Sequence, residues 1–242
     1  MPQCALCLRD RPLLRSHIIP EFMYEAVYDQ KHRFRIIYTG AEYKERWAQK
    51  GLREPLLCEI CEGQISSYER YVSLIFSGAI NTTAERERQF QKISGLDYSQ
   101  FKLFALSVLW RASATDLPFF SNVNLGKYQE FARKLLAAGD PGRQTQFPIL
   151  IGGVTLNGEP LNGAILEPTR SKVDGHFCYR FLFGGLIWVF IVSGHTVSPT
   201  LSHAILRESG TFRMLVQDVR EISFIADQIQ KLQNNWASKS AT

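Results

Sequence analysis

The sequence predicts an α+β protein: a small cysteine-bearing module first, then helices, then a mostly antiparallel sheet and a last helix. Three observations predict it. Two C-x-x-C pairs, Cys4/Cys7 and Cys58/Cys61, fall within the first 76 residues, where continuous apolar periodicity is scarce. Apolar residues recur at helical spacing through the middle of the chain. From Phe147 onward the pattern changes to short apolar segments set between turns. The expected organisation is therefore a module over 1–76 and an α+β region over 77–242, with helices within 98–139, strands within 147–216 and a helix over 219–236.

The first element is set by Pro20, which opens a short helix, Glu21 to Tyr28, because its fixed φ and missing N–H suit a first helical turn. Phe34 to Thr39 reads as a strand, and Thr39-Gly40 as a turn. From Glu59 a helix is expected, with Ile60, Ile65, Tyr68, Val72 and Ile75 as its apolar positions, so the second C-x-x-C sits at a helix start. Residues 77–97, including AERERQFQK, are polar and expected to be solvated. A strong helix runs from about Tyr98 to Ala114 with Phe101, Phe104, Ala105, Val108 and Leu109 on its apolar face. Another runs from about Leu125 to Ala138, with Asn124 as N-cap and Gly139-Asp140-Pro141-Gly142 as its stop. Strands are expected at Phe147–Ile151, Ala164–Glu167, Phe177–Phe183, Leu186–Val192 and Phe212–Val216, and an amphipathic helix over Val219–Trp236.

With 45% apolar residues and 16 phenylalanines, the chain can bury an aromatic-rich core. Its net charge is +5, divided almost evenly: 14 Lys+Arg against 12 Asp+Glu up to residue 92, and 14 against 11 beyond it. That balance permits nucleic-acid binding without arguing for it. The most apolar run, Phe181 to Gly194, is too short to span a bilayer and is broken by Gly184-Gly185. The polar start MPQCALCLRDRP lacks the apolar run of a signal peptide. A soluble, cytoplasmic protein that avoids membranes is expected.

Five cysteines, four of them in C-x-x-C pairs, favour metal over disulfides in such a chain. Each pair can supply two thiolates to one edge of a zinc tetrahedron. Cys4, Cys7, Cys58 and Cys61 are therefore the expected ligands of a structural Zn²⁺ ion. A first pair in a loop and a second opening a helix is the layout of a treble-clef site. The fifth, Cys178, is expected to be a small buried apolar residue.

Between the pairs lies Ser16-His17-Ile18-Ile19-Pro20, and Leu57-Cys58-Glu59-Ile60-Cys61-Glu62 comes after it. This order resembles the zinc-containing HNH, or ββα-metal, endonucleases over about residues 1–75. Their usual pattern has Asp where this chain has Ser16, and Asn where it has Glu62. The resemblance implies that His17 is a general base activating water, for which a pKa near neutrality suits imidazole. It implies a catalytic Mg²⁺ or Mn²⁺ ion near Ser16 and Glu62, a carboxylate being a good ligand for hard cations. Ser66 holds the place of a further family ligand. Glu62, Ser66 and Glu69 share one helical face by spacing, so Glu69 joins the candidate set. The implied activity is hydrolysis of DNA phosphodiester bonds, and by analogy alone a role in restriction, defence or mobile-element biology. The alternative is a non-catalytic zinc module that recognises nucleic acid or a protein partner. Convergence of Ser16, His17, Glu62 and Glu69 on one cleft within metal-coordination reach would favour the enzyme; Glu62 and Glu69 pointing to solvent away from His17 would favour the binding module.

Overall fold

The computed structural model describes residues 1–36, 38 and 46–228. The N-terminal module begins with a tight turn over Cys4–Cys7, closed by a bridge between Gln3 and Asp10. Strand β1 (Leu13–His17) follows, then a 3-10 helix over Glu21–Val27. Strands β2 (Phe34–Ile36) and β3 (Arg46–Ala48) form a two-stranded ribbon. Strand β4 (Arg53–Cys58) pairs antiparallel with β1 and leads without a break into helix α1 (Glu59–Phe76). Ile65, Tyr68 and Val72 line the buried stripe of α1, as their spacing requires, whereas Ile60 falls off that stripe and is exposed. The expected Thr39-Gly40 turn lies outside the described residues.

Residues 83–94 form a hairpin of β5 (Thr83–Glu87) and β6 (Phe90–Ser94) where only solvated polar chain was expected. The hairpin is mostly exposed, which explains its polar sequence, and β6 is tied to the sheet by pairing with a later strand. Helix α2 (Tyr98–Ala114) is capped by the Asp97 carboxylate, which accepts from the Gln100 N–H. It is buried on all sides from Phe101 to Ala112, so the expected single apolar face is an underestimate. A 3-10 turn over Gly126–Tyr128 leads into α3 (Gln129–Ala138), which Gly139 ends in the left-handed conformation that its missing Cβ permits.

The remaining elements are β7 (Ile149–Leu156), β8 (Glu159–Pro160), β9 (Leu166–Val173), β10 (His176–Phe183), β11 (Leu186–Ile191), α4 (Pro199–Ser202) and β12 (Phe212–Asp218). The eight-stranded sheet runs β5-β6-β12-β7-β11-β10-β9, with β8 on β7. Every pairing is antiparallel except β12 with β7. Gly184 and Gly185, both at positive φ, make the turn between β10 and β11 that the apolar run suggested. After a 3-10 turn at Val219–Glu221, residues 223–228 are helical; the rest of the expected Val219–Trp236 helix lies outside the described residues.

Helix α2 is the hub. Phe101 and Phe104 meet Trp188 of β11 at ring-centre distances of 5.7 and 5.8 Å, and Phe101 stacks on Phe212 of β12 at 6.2 Å. Each such buried ring stabilises by roughly 1.5–3 kcal/mol relative to exposure. One contiguous cluster of buried residues runs from Cys4 and Leu57 through α2 to the sheet. Cys178 is wholly buried on the opposite sheet face with Ile191, Val197 and Ile205. Among the described residues no helix is long and apolar enough to cross a membrane.

Candidate metal centre

The two halves of the cysteine cluster are built by different local devices. The Cys4–Cys7 turn is closed by bonds from the Leu8 N–H to the Cys4 carbonyl and from the Cys4 N–H to the Arg9 carbonyl, with Leu8 at φ +59°. The Ala5 N–H donates to the Leu56 carbonyl at 3.1 Å, which docks this turn on β4. Cys58 is the N-cap of α1 and Cys61 lies in its first turn. The Cys58 N–H points at the Cys4 sulfur, 3.3 Å away.

All four sulfurs lie within 4.8 Å of one another. The Cys7 and Cys58 sulfurs are 3.8 Å apart, far longer than a disulfide, and all four cysteines are free thiols. A tetrahedral zinc with Zn–S bonds of about 2.3 Å has S···S edges of about 3.8 Å. The donor set and its spacing therefore fit, and the cluster could hold a metal ion such as zinc. Burial works against ionising Cys58, but the Cys61 N–H and the other thiols outweigh it and bring the thiol down to about 7. Cys61 is pushed up, by burial first and then by its three neighbours. Four sulfurs at this spacing cannot all ionise without a cation among them. Among the described residues this is the one group of three or more His, Cys, Asp or Glu side chains close enough to hold an ion.

Beside the cluster, β1 presents Ser16 and His17 to opposite sides, as successive strand residues must. Ser16 is fully buried; its hydroxyl donates to Glu62 Oε2 at 2.6 Å and accepts from the Leu57 N–H at 3.2 Å. Glu62 lies in the first turn of α1, where the helix dipole favours a carboxylate. His17 is partly exposed, and its Nε2 lies 2.8 Å from both the Lys50 carbonyl and Glu21 Oε2. A carbonyl only accepts, so Nε2 carries the hydrogen and donates it to Lys50. Glu21 Oε2 is left buried without a hydrogen bond, while Oε1 accepts from the Tyr28 hydroxyl. Gly51, at φ +64°, passes so close that a Cβ there would lie 3.0 Å from the His17 ring.

Glu69 goes elsewhere. Its Oε1 pairs at 2.7 Å with Arg111, a guanidinium wholly buried in α2. The same guanidinium donates to the His17 carbonyl and to the carbonyl and hydroxyl of Ser107. The candidate residues thus form three separate contacts: Ser16 with Glu62, His17 with Glu21 and Lys50, and Glu69 with Arg111. Ser66 is exposed. Glu21 and Arg111 escaped the sequence reading. Glu21 is four residues past His17, a signal that was there; Arg111 is 42 residues from Glu69 and gave none.

Compared with known families, curated proteins and solved structures, this chain matches none.

Proposed function

We propose that this chain is an HNH-like nuclease built on a zinc-stapled treble clef, hydrolysing phosphodiester bonds in DNA with His17 as general base. The observation that carries the reading is the placement of His17: it ends β1 beside the cysteine cluster, partly exposed, with its ring oriented by the Lys50 carbonyl and Glu21 at 2.8 Å each. The order of elements agrees with it: a cysteine turn, the antiparallel pair β1–β4, and a helix opened by the second C-x-x-C. A zinc ion on Cys4, Cys7, Cys58 and Cys61 would be structural, since four protein ligands leave no open position. Glu62 is the carboxylate that would take a Mg²⁺ or Mn²⁺ ion, giving up its bond to Ser16; such an ion would neutralise phosphate charge. Glu69 serves instead as the partner of Arg111. The family assignment rests on the residues alone.

A plasmid-nicking assay with Mg²⁺ and Mn²⁺ tests this. Wild type should nick, and His17→Ala should lose about 10²-fold or more of the rate, the usual worth of a positioned base. Equal nicking by both, or none by either, would remove the claim. A second reading, a non-catalytic zinc module for nucleic acid or a protein partner, is favoured by one observation. Both helix carboxylates, Glu62 and Glu69, are already engaged by protein groups. It stands if wild type fails to nick.

A further inference from the structure

Residues 29–53 hold seven Lys and Arg against three Asp and Glu, a net of +4 out of the chain's +5. The even division of charge between the two parts of the chain hides this concentration. Its described part is the β2–β3 ribbon and the segment that returns to β4. Alternation gives the ribbon two faces. Phe34 and Ile36 point inward and are buried. Arg33, Arg35 and Trp47 belong to the outer face, with Arg35 directly opposite Trp47. Trp47 is 57% exposed, and the Arg33 guanidinium lies 4.7 Å from the centre of its ring. Asp29 holds that guanidinium with two bonds of 3.1 and 2.9 Å, which fixes it beside the indole. Arg46, paired with Ile36, belongs to the other face. Lys50 is exposed and Arg53 is half-buried, so the basic strip continues to Lys50, whose carbonyl holds His17.

We propose that this ribbon binds single-stranded nucleic acid, with Trp47 stacking on an unpaired base and Lys50, beside Arg35, meeting phosphate. An exposed ring beside one held guanidinium and further exposed cations matches a strand that offers a flat π-face and regularly spaced negative charge. A duplex hides its base faces within the stack, and an acidic peptide offers charge without a planar ring. The position of the strip at the Lys50–His17 contact would deliver a strand to the proposed base. Cleavage after binding rests on the nuclease reading, whereas the binding itself can be measured apart from it.

The test is fluorescence anisotropy with a labelled DNA strand of about 12 nucleotides, within the usual site size for such surfaces. The same sequence is measured as a blunt duplex, at about 50 and about 200 mM salt, with no divalent cation added so that cleavage is not read. The strand should bind more tightly than the duplex. Trp47→Ala should weaken strand binding about tenfold, with Trp47→Phe retaining most of it. Lys50→Ala should reduce the slope of log affinity against log salt by about 0.7, the loss of one phosphate contact. Unchanged affinity in Trp47→Ala, a duplex bound as tightly as the strand, or no binding at the lower salt would overturn the proposal. Binding that depends on Trp47 without any nicking would remove the nuclease reading and leave the ribbon. Nicking with Trp47-independent binding would do the reverse.

Discussion

Replacing Arg111 with methionine removes a wholly buried guanidinium that joins α2 to the cysteine module. Methionine fills much of the stem volume, so the loss is mainly polar. The His17 carbonyl loses a charged donor, and an orphaned buried acceptor costs about 1–3 kcal/mol. Glu69 loses its ion-pair partner, but its side chain is 18% exposed and recovers part of its hydration. Breaking a buried pair from one side typically costs about 3–5 kcal/mol, and the exposure of Glu69 places this case near the lower end, about 3 kcal/mol. Against a usual total of about 5–15 kcal/mol the variant should still fold, with a clearly lower urea midpoint. Glu69→Gln keeps an acceptor facing Arg111 and should cost less, about 1–2 kcal/mol. Urea unfolding followed by far-UV circular dichroism reads both. A loss below about 1 kcal/mol in Arg111→Met would refute the reasoning, because an unpaired carbonyl in that position cannot be so cheap.

Lys102 is buried in α2 with its ammonium donating to the carbonyls of Gln146 and Phe147, and burial pushes its pKa down from 10.5 to about 7. Between those two pH values the unfolded chain binds the extra proton, so this group makes the folded state gain stability as pH rises from about 7 to about 10. Lys102→Met should lack that gain; urea midpoints of both proteins across this range would count against it if they ran parallel. Gly210 sits at φ +70° before β12, and a Cβ there would lie 1.9 Å from the Leu96 carbonyl oxygen. Gly210→Ala should therefore lower the thermal midpoint, by the equivalent of more than about 1 kcal/mol. Gly63, mid-helix in α1 with no neighbour within 4 Å of a built Cβ, should instead gain about 0.5–1 kcal/mol on mutation to Ala. Shifts of the same sign in the two variants would contradict these placements.

Local chemistry decided which elements the sequence exposed. Helix α2 carries Phe101, Phe104, Ala105, Val108 and Leu109 at helical spacing, so its span was readable from residues alone. Gly184-Gly185 announced the β10–β11 turn because positive φ at two successive positions calls for glycine. Strands β1 and β4 gave little signal. Ser16 and His17 interrupt one and Pro55 sits in the other, and their pairing joins residues far apart in the chain. The β5–β6 hairpin was hidden for a different reason: its side chains are largely polar and solvent-facing, so no apolar period marks it. The parallel contact of β12 with β7 is a property of the assembled sheet and leaves no local trace. In the centre the cysteines were legible because metal geometry restricts spacing. The partners of Glu62, Glu69 and His17 were not, because side-chain contacts across elements depend on the fold itself.

The scaffold that holds His17 and Glu62 depends on four sulfurs sharing one metal ion. Elemental analysis of the purified protein, with X-ray absorption at the zinc edge, measures this directly. One zinc per chain in a shell of four sulfurs at about 2.3 Å is the result expected, with Cys58→Ser losing the metal or the fold. A folded wild-type chain that carries no metal, or a zinc shell with nitrogen or oxygen in place of sulfur, would contradict it.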